Sequence, residues 1–257
     1  MMDAKEDLVS IITPTYNASR FICETIQSVK FQTYTNWEMI IVDDCSTDQT
    51  KELVTKEMML DARIKVIPSA ANHGPAHARN TAIKASKGKY LAFLDSDDLW
   101  HPKKLSNQIT FMRKNKIGFS YTDYRMMNEA GEKSDRVIRV PEKMEYKELL
   151  KNTIIGTLTV VLDKEVVGEV QMPLFRDCSE DYGLWMSILS KDIHAYGLNE
   201  ELAYYRKCGH SLSSNKFNSA KKTWNTYRKV GKVNIPSALW YFVNYTYHAF
   251  YKHTKTS

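Results

Sequence analysis

Two short apolar runs, each followed directly by aspartates, constrain the fold of this chain more than any other feature. Residues 39–42 lead into an Asp43-Asp44 pair, and residues 90–94 lead into the Asp-Ser-Asp-Asp segment 95–98. Continuous Ile, Val, Leu and Phe runs of this length are typical of strands buried on both faces of a parallel sheet. Because such sheets bind ligands beyond the carboxyl ends of their strands, we expect both acidic clusters on one rim. Their mutual repulsion there favours a bound cation or a polyhydroxyl ligand.

Strand and helix patterns alternate through the first 115 residues. The predicted strands are residues 8–12, 39–43, 64–67 and 90–94. The predicted helices begin near Ser19, at a cap formed by Ser46 or Thr47, at Pro75 and at Pro102. This order predicts right-handed crossovers and a nucleotide-binding α/β unit.

The pattern is looser beyond residue 116. The predicted strands there are 118–126, 137–140, 157–162, 193–198 and 202–205, and the predicted helices are 146–151 and 181–190. No linker rich in Pro, Gly or Ser separates the two halves, so we expect them to share a continuous sheet. The 257 residues, 43% of them apolar, suffice for one enzyme-sized unit.

Charge and cysteine content exclude several classes of protein. Four dispersed cysteines without a C-x-x-C pair fit neither a zinc site nor a disulfide framework, and we expect reduced thiols. Lys5, Glu6 and Asp7 interrupt the N-terminal stretch, so no signal peptide is predicted and a cytoplasmic location is expected. The net charge of +6 lies in the tail, because residues 202–257 contain ten Lys or Arg and no acidic residue.

Five motifs occur in an order that resembles a known family. They are Pro14-Thr15-Tyr16-Asn17, the Val-Asp-Asp-Cys-Ser-Thr-Asp segment 42–48, Ala78-Arg79-Asn80, Asp95-Ser96-Asp97-Asp98 and the Glu-Asp-Tyr-Gly-Leu-Trp segment 180–185. Together they resemble the inverting glycosyltransferases of family 2. The resemblance implies the GT-A fold, an α/β fold in which a Rossmann-like nucleotide-binding half and a mixed central sheet continue into an acceptor-binding half.

The same resemblance implies a function and a domain organisation. The expected reaction moves a sugar from a nucleotide-diphosphate donor, a UDP-sugar, to a hydroxyl of a glycan or lipid-linked acceptor in cell-surface polysaccharide synthesis. Residues 1–115 would bind the nucleotide sugar, and residues 116–212 would hold the acceptor and the catalytic base. Residues 213–257 form a basic, aromatic C-terminal extension. The identity of the sugar and the linkage depend on loops between residues 125 and 180 that the pattern leaves open.

The resemblance assigns most donor contacts to the early motifs. The donor-binding residues would be Pro14, Tyr16, Asn17, Asp43, Arg79, Asp95 and Ser96. Asp43 would accept a hydrogen bond from an N–H of the base, and the ring of Tyr16 would stack on it. Alternatively, Asp43 or Asp44 caps the following helix. Arg79 would either contact the diphosphate or brace the aspartates through a structural salt bridge.

Two further sites follow from the resemblance. Asp95-Ser96-Asp97 is a D-x-D signature, and Asp97 would bind Mg²⁺ or Mn²⁺ with His210 as a further metal or phosphate contact. Asp181 would be the general base that takes the acceptor proton. The structural alternatives are that Asp97 and Asp98 cap the helix near Pro102, and that Asp181 is an ordinary acidic residue in a first helical turn.

The C-terminal segment combines an apolar, aromatic stretch with flanking lysines. Residues 238–251 have no charged side chain if histidine is neutral, and half are aromatic. With the flanking lysines, the segment 221–257 suits a helix on an anionic membrane surface, peripheral on the inner face of the cell membrane. The alternative is packing on the catalytic body or on a second subunit in a homodimer.

The rival enzyme is a sugar-1-phosphate nucleotidyltransferase, which would have a Gly-rich first loop where this chain has Pro14-Thr15-Tyr16-Asn17. A non-catalytic nucleotide-sugar-binding protein is the other alternative, and the intact Asp97 and Asp181 argue against it. No nucleic-acid partner is expected, because no nucleic-acid-binding module is recognised.

Overall fold

A computed structural model describes residues 6–209 and 216–254 of the protein. Within them the strands are β1 Val9–Thr15, β2 Trp37–Asp43, β3 Ile64–Pro68, β4 Tyr90–Phe93, β5 Leu99–Trp100, β6 Phe119–Met127, β7 Lys133–Ile138, β8 Lys143–Met144, β9 Val161–Asp163 and β10 Ala195–Arg206. The α-helices are α1 Ile22–Lys30, α2 Thr50–Leu60, α3 Pro75–Ala85, α4 Lys104–Asn115, α5 Tyr146–Leu149, α6 Lys164–Val167, α7 Glu180–Leu189, α8 Lys216–Lys229 and α9 Ile235–Thr254. A 3₁₀ turn covers Thr157–Thr159.

One continuous sheet runs through both halves, in the order β3-β2-β1-β4-β9-β6-β10-β5. The first four strands are parallel, β9 is antiparallel to both β4 and β6, and β10 is parallel to β6. Every residue of β1, β2 and β4 is buried, because helices cover both faces of this part of the sheet. The predicted α/β architecture with a mixed central sheet is therefore confirmed.

Alternate residues of the strands supply two hydrophobic clusters, one on each face of the sheet. Ile12, Leu91 and Trp185 belong to one cluster, whereas Ile11 and Met39 belong to the other. The opposite assignments of Ile11 and Ile12 follow from the two-residue period of a strand. This packing fixes the carboxyl ends of β1, β2 and β4 relative to one another.

The predicted cap of the second helix is wrong. Helix α2 begins at Thr50, and the Thr50 amide donates to the Asp48 carboxylate at 2.9 Å. Ser46 and Thr47 instead bond to other parts of the rim, because Ser46 Oγ donates to Asp43 and Thr47 N donates to Asn17. Long-range contacts thus take up the side chains that the local pattern assigned to a cap.

The other differences lie in the second half and at the start of α4. A 3₁₀ turn replaces the first half of the strand expected at residues 157–162. The strands predicted at 193–198 and 202–205 are one strand, β10, whose pairing with β6 shifts register between Leu198 and Ala203. Asp98 does not cap α4, since that helix begins at Lys104, and the capping interpretation of Asp98 is wrong.

The C-terminal extension forms two helices that pack on the body of the protein. The amide of Ser179, the residue before α7, donates to Thr226 Oγ1 of α8 at 3.0 Å. Trp224 of α8 and Phe242 of α9 make an edge-to-face contact with ring centroids 5.6 Å apart. In the part of the chain that is described, no helix combines the length and apolar character needed to cross a membrane.

Candidate active site

The two acidic clusters lie at the same edge of the sheet. Strand β1 is flanked by β2 and β4, and all three run in the same direction. Asp43 is the last residue of β2 and pairs with Thr15 of β1. Asp95 follows the end of β4 at Phe93 by two residues. The carboxylates at positions 43 and 95 are therefore brought to one rim by the parallel pairing.

The first and second loops of this rim are joined by side-chain hydrogen bonds. Asn17 N donates to Ser46 Oγ at 2.9 Å, and Thr47 N donates to Asn17 Oδ1 at 2.8 Å. Asn17 has a left-handed backbone, a conformation that asparagine tolerates better than most residues. Next to it the Tyr16 side chain is 49% exposed, whereas Pro14 is buried within β1. The ring of Tyr16 is thus free to receive a planar ligand on a loop that is held in place.

Asp43 and Asp44 have different surroundings. Asp43 is almost fully buried and accepts hydrogen bonds from Ser46 Oγ at 2.5 Å and from Ser46 N at 3.3 Å. Asp44 accepts from the amides of His73 and Gly74 at 3.0 and 2.7 Å, directly before α3. Neither carboxylate caps α2, so the capping alternative for this pair is wrong.

Arg79 of α3 connects the acidic segment after β4 to the start of α7. Its guanidinium donates through Nη2 to Asp95 Oδ1 at 2.5 Å and through Nη1 to Glu180 Oε1 at 2.9 Å. The Arg79 side chain is only 6% exposed. Burial lowers its pKa, but the Asp95 and Glu180 carboxylates outweigh burial and raise it above the ordinary value. The salt bridges expected for a bracing role of Arg79 are present, and its contact with the diphosphate stays a prediction.

We expect the Arg79→Met substitution to lower the free energy of unfolding by about 3 kcal/mol, because it leaves two partly buried carboxylates without their shared partner. Denaturant unfolding at fixed pH measures this loss. Lys143→Met, which removes an exposed pair with Glu145, is the matched control and should change stability by less than about 0.5 kcal/mol. Equal effects of the two substitutions would contradict the bracing role.

Asp97 lies next to a buried arginine that sequence reasoning missed. The side chain of Arg206, the last residue of β10, is fully buried and bonds to the backbone oxygens of Asp97 and Glu129 and to the Glu24 carboxylate. The Arg206 amide also donates to Asp98 Oδ1 at 2.8 Å. Arg206 therefore fixes the backbone of the D-x-D segment and leaves the Asp97 carboxylate to other partners.

The Asp97 carboxylate fits a cation ligand. Burial and the neighbouring Asp95 charge raise the pKa of Asp97 to about 6. The one side-chain hydrogen-bonding contact that we find for it in the described ranges is the Cys208 thiol, 4.0 Å from Oδ2. No cluster of three His, Cys, Asp or Glu side chains suited to a metal occurs among residues 6–209 and 216–254. An ion here would be held by one or two carboxylates and completed by phosphate oxygens and water, as Mg²⁺ usually is.

Position 210, the histidine suggested as a further metal or phosphate contact, lies outside the described residues. Ser96 is described, and its backbone oxygen accepts a hydrogen bond from Thr25 Oγ1 at 3.0 Å. The same hydroxyl bonds to the backbone oxygen of Asp98 at 2.9 Å. Thr25 of α1 thereby holds the backbone of the acidic segment in addition to Arg206.

Asp181 lies in the first turn of α7, immediately after the Arg79 partner Glu180. Its Oδ2 accepts from Thr157 Oγ1 at 2.6 Å, and its Oδ1 accepts from the Tyr182 amide at 2.7 Å. Burial and the adjacent Glu180 charge raise the pKa of Asp181 above the ordinary aspartate value, although the Thr157 bond and the Arg79 charge oppose this shift. A partly buried carboxylate with a raised pKa is suited to proton transfer.

Three contacts escaped the sequence interpretation. Thr157 was placed in a strand, Arg206 was read only as part of the basic tail, and Glu180 was named only as the neighbour of the base. The available signal was the number of carboxylates on one rim. Partly buried carboxylates need cationic partners, and Arg206 directly follows a predicted strand.

The profile of Glycosyl transferase family 2 matches residues 10–167, which is more than half of the chain. The chain belongs to this family. It is a glycosyltransferase, and the family assignment made from the five motifs is confirmed. The match also argues against a sugar-1-phosphate nucleotidyltransferase.

Full-length relatives support the same assignment. TuaG of Bacillus subtilis (strain 168), a proposed teichuronic acid biosynthesis glycosyltransferase, is 47% identical over 94% of this chain and 96% of its own length. WfgD of Escherichia coli, named UDP-Glc:alpha-D-GlcNAc-diphosphoundecaprenol beta-1,3-glucosyltransferase, is 42% identical over 96% of this chain and 95% of its own length.

Solved structures share the fold at low sequence identity. TarS 1-349 of S. aureus in complex with UDP-GlcNAc has a TM-score of 0.72 at 19% identity, over 94% of this chain and 72% of TarS. The mannosyltransferase PcManGT of Pyrobaculum calidifontis, in complex with GDP-Man and Mn2+, has a TM-score of 0.73 at 17% identity, over 99% of this chain and 77% of PcManGT. The family 2 chain therefore has the GT-A fold.

Proposed function

We propose that the protein transfers glucose or a related sugar from a UDP-sugar to a hydroxyl of a lipid-linked glycan, with inversion at the anomeric carbon and with a divalent metal. The relatives named for teichuronic acid biosynthesis and for a diphosphoundecaprenol acceptor support the substrate classes. The observation that carries the proposal is the Arg79 bridge, because it holds the D-x-D segment and the helix of Asp181 against each other.

The donor would occupy the rim formed by residues 1–115. Its base would stack on Tyr16, and Asp43 would accept from a base N–H after giving up part of its bonding to Ser46. Asp95 and Ser96 would lie along the ribose and diphosphate. Because Asn17 already bonds to the second loop, its contribution would be to hold Tyr16 in position.

The metal would be held by Asp97 and by diphosphate oxygens. When bound, Mg²⁺ or Mn²⁺ would neutralise the charge that develops on the departing UDP. Arg206 would hold the backbone oxygen of Asp97, and Thr25 those of Ser96 and Asp98, while this charge changes. The carboxylate at position 97 is suited to this role because its only neighbouring side-chain partner in the described residues is a thiol.

Asp181 would take the proton of the acceptor hydroxyl. The acceptor oxygen forms a bond to the anomeric carbon on the face opposite the UDP, the bond from that carbon to the diphosphate oxygen breaks, and its electron pair leaves with UDP. The acceptor proton passes to a carboxylate oxygen of Asp181. Thr157 fixes the orientation of this carboxylate, and its raised pKa makes it a better proton acceptor than an ordinary aspartate.

Product analysis tests the proposal. The purified protein would be incubated with UDP-glucose, Mn²⁺ and a short-chain GlcNAc-diphosphate lipid, and the new linkage would be read from its anomeric proton by NMR. We expect a β-linked product from the α-linked donor, and loss of turnover with EDTA. An α-linked product would contradict inversion, and release of UTP from UDP-glucose and pyrophosphate would indicate a nucleotidyltransferase instead.

Tyr16→Ala tests the stacking interaction. Loss of a base-stacking ring removes about 1–3 kcal/mol of binding, so KM for the UDP-sugar should rise roughly tenfold or more while kcat changes little. Initial-rate kinetics at several donor concentrations measure the two constants. Phe31, directly after α1, is another exposed aromatic residue. Phe31→Ala is therefore the control and should leave KM unchanged. A lower kcat with unchanged KM would argue against stacking on Tyr16.

A further inference from the structure

Among residues 235–246, whose side chains are described, helix α9 has two apolar faces, and one of them packs on the protein. Ala238 is fully buried, and Tyr241 and Phe242 lie against the hydrophobic cluster that includes Trp185. Phe242 also makes the edge-to-face contact with Trp224 of α8. These contacts fix the orientation of α9 on the body, so the opposite face has a defined direction.

The second face is an exposed apolar stripe. It consists of Ile235, Leu239, Trp240 and Val243, whose side chains are between 52% and 64% exposed. Three of these residues are four positions apart and therefore align along the helix, and Trp240 broadens the stripe. Contiguous exposed apolar surface of this kind marks an interaction site, whereas single exposed apolar side chains are ordinary.

The charge around the stripe indicates what covers it. Residues 216–254, which form α8, α9 and the turn between them, contain seven Lys or Arg and no acidic residue. Lys232 is exposed shortly before α9, and Arg228 donates to the backbone oxygen of Val233 in the same turn. Lys229 pairs with Asp177 from the loop before α7, so its charge is compensated. An apolar stripe with cations at its end is complementary to an anionic lipid surface.

A second copy of the chain is less suited to the stripe. A two-fold pairing would cover the stripe but offer Lys232 no opposite charge from the same face, because residues 216–254 contain no acidic residue. We propose that the stripe of α9 inserts into the headgroup region of a membrane that contains anionic lipids, with the helix parallel to the surface.

Helix α8 connects the attached helix to the acceptor side of the site. This part of the inference rests on the proposed function. Thr226 of α8 accepts from the amide of Ser179, directly before Glu180 and Asp181. The Asn225 side chain also donates to the backbone oxygen of Asp177 at 2.9 Å, so α8 supports the segment that leads to the base. Attachment through α9 would therefore hold the acceptor side of the site near the surface on which a lipid-linked acceptor lies.

Vesicle sedimentation of the full chain tests the proposal. The probes are phosphatidylcholine vesicles with and without phosphatidylglycerol. We expect the wild-type protein to sediment with the anionic vesicles, and the double substitution Leu239→Glu with Val243→Glu to lower the partition coefficient at least tenfold. Lys232→Glu should lower it about fivefold or more, and high salt should act in the same direction.

The matched control is Met59→Glu with Leu60→Glu, two exposed apolar residues of α2. It should leave sedimentation unchanged. Three outcomes would overturn the proposal. The control could lose binding equally, or the wild-type protein could fail to bind anionic vesicles. The wild-type protein could also form a dimer that the Leu239→Glu, Val243→Glu protein no longer forms, while vesicle binding persists. Sedimentation measures no transfer, so its outcome is independent of the transferase assay. Transfer to a water-soluble acceptor by the stripe variant should match wild type, which shows that the variant is folded.

Discussion

The Asp181→Asn substitution is expected to lower kcat by a factor of about 10² to 10⁴ while KM for the donor changes little, because it removes the proton acceptor and keeps the shape of the side chain. The asparagine can still pair with Thr157, whose hydroxyl is 2.6 Å from Oδ2. Initial rates at saturating donor and acceptor measure the loss.

The control for this experiment is Asp177→Asn. Asp177 lies four residues earlier, is exposed and pairs with Lys229 on the surface, so its loss should change kcat less than about twofold. A kcat of Asp181→Asn within tenfold of wild type would assign Asp181 a structural role in the first turn of α7. The pH dependence gives a second test: because the pKa of Asp181 is raised, the wild-type rate should fall on its acid side at a pH above the ordinary aspartate range.

The second large effect is expected for Asp97→Asn, which should lower turnover but raise the stability of the metal-free protein. Asp97→Asn should reduce turnover at least a hundredfold and abolish the increase in thermal stability that Mn²⁺ and UDP give the wild-type protein. That increase should be about 2.7 kcal/mol when ligand is at a hundred times its Kd. Without metal the same substitution should make the protein more stable at pH 8, because it removes a buried negative charge.

The sign of the pH dependence follows from the raised pKa. The Asp97 pKa is about 6 in the folded protein, against about 3.9 in an unfolded chain. Between these values the folded state keeps the proton that the unfolded state has lost, so this group makes the free energy of unfolding fall as pH rises from about 4 to about 6. The Asp97→Asn protein lacks this contribution, and its advantage over metal-free wild type should be about 3 kcal/mol at pH 8 and vanish near pH 4.

Denaturant unfolding in EDTA at pH 4 and at pH 8 measures the difference. Asp135→Asn on the exposed part of β7 is the control and should show no such pH-dependent advantage. A wild-type protein that is more stable than Asp97→Asn at pH 8 without metal would show that the Asp97 carboxylate is already compensated by protein groups, and would remove the argument for a cation at this position.

The local pattern of the chain sufficed for the parallel half of the fold. Residues 39–42 of β2 and 90–93 of β4 are continuous apolar runs, and a run of this kind has few alternatives to a strand covered on both sides. Their common direction then brings Asp43 and Asp95 to one rim without further information. The second half was harder because β10 is irregular where it pairs with β6, so its two segments read as separate strands.

The contacts between distant segments were beyond the local pattern. Arg79 and Glu180 are 101 residues apart, and Arg206 and Glu24 are 182 apart. Residue type alone left Arg79 equally suited to phosphate binding and to bracing, and only the folded chain shows its burial between two carboxylates, which favours bracing. The hydroxyl of Ser46 was likewise out of reach of local reasoning. Its position in the sequence predicted a helix cap, but in the folded chain it donates to the Asp43 carboxylate.

Diffraction from crystals grown with UDP and Mn²⁺, with the manganese located by its anomalous signal, tests the convergence of the acidic groups most directly. One manganese is expected at bonding distance from the Asp97 carboxylate and from the diphosphate, with Arg79 still joining Asp95 and Glu180 and with Asp181 facing the diphosphate across an open cleft. Manganese and UDP bound away from Asp97, or an Asp181 side chain separated from the bound UDP by packed protein, would contradict the arrangement.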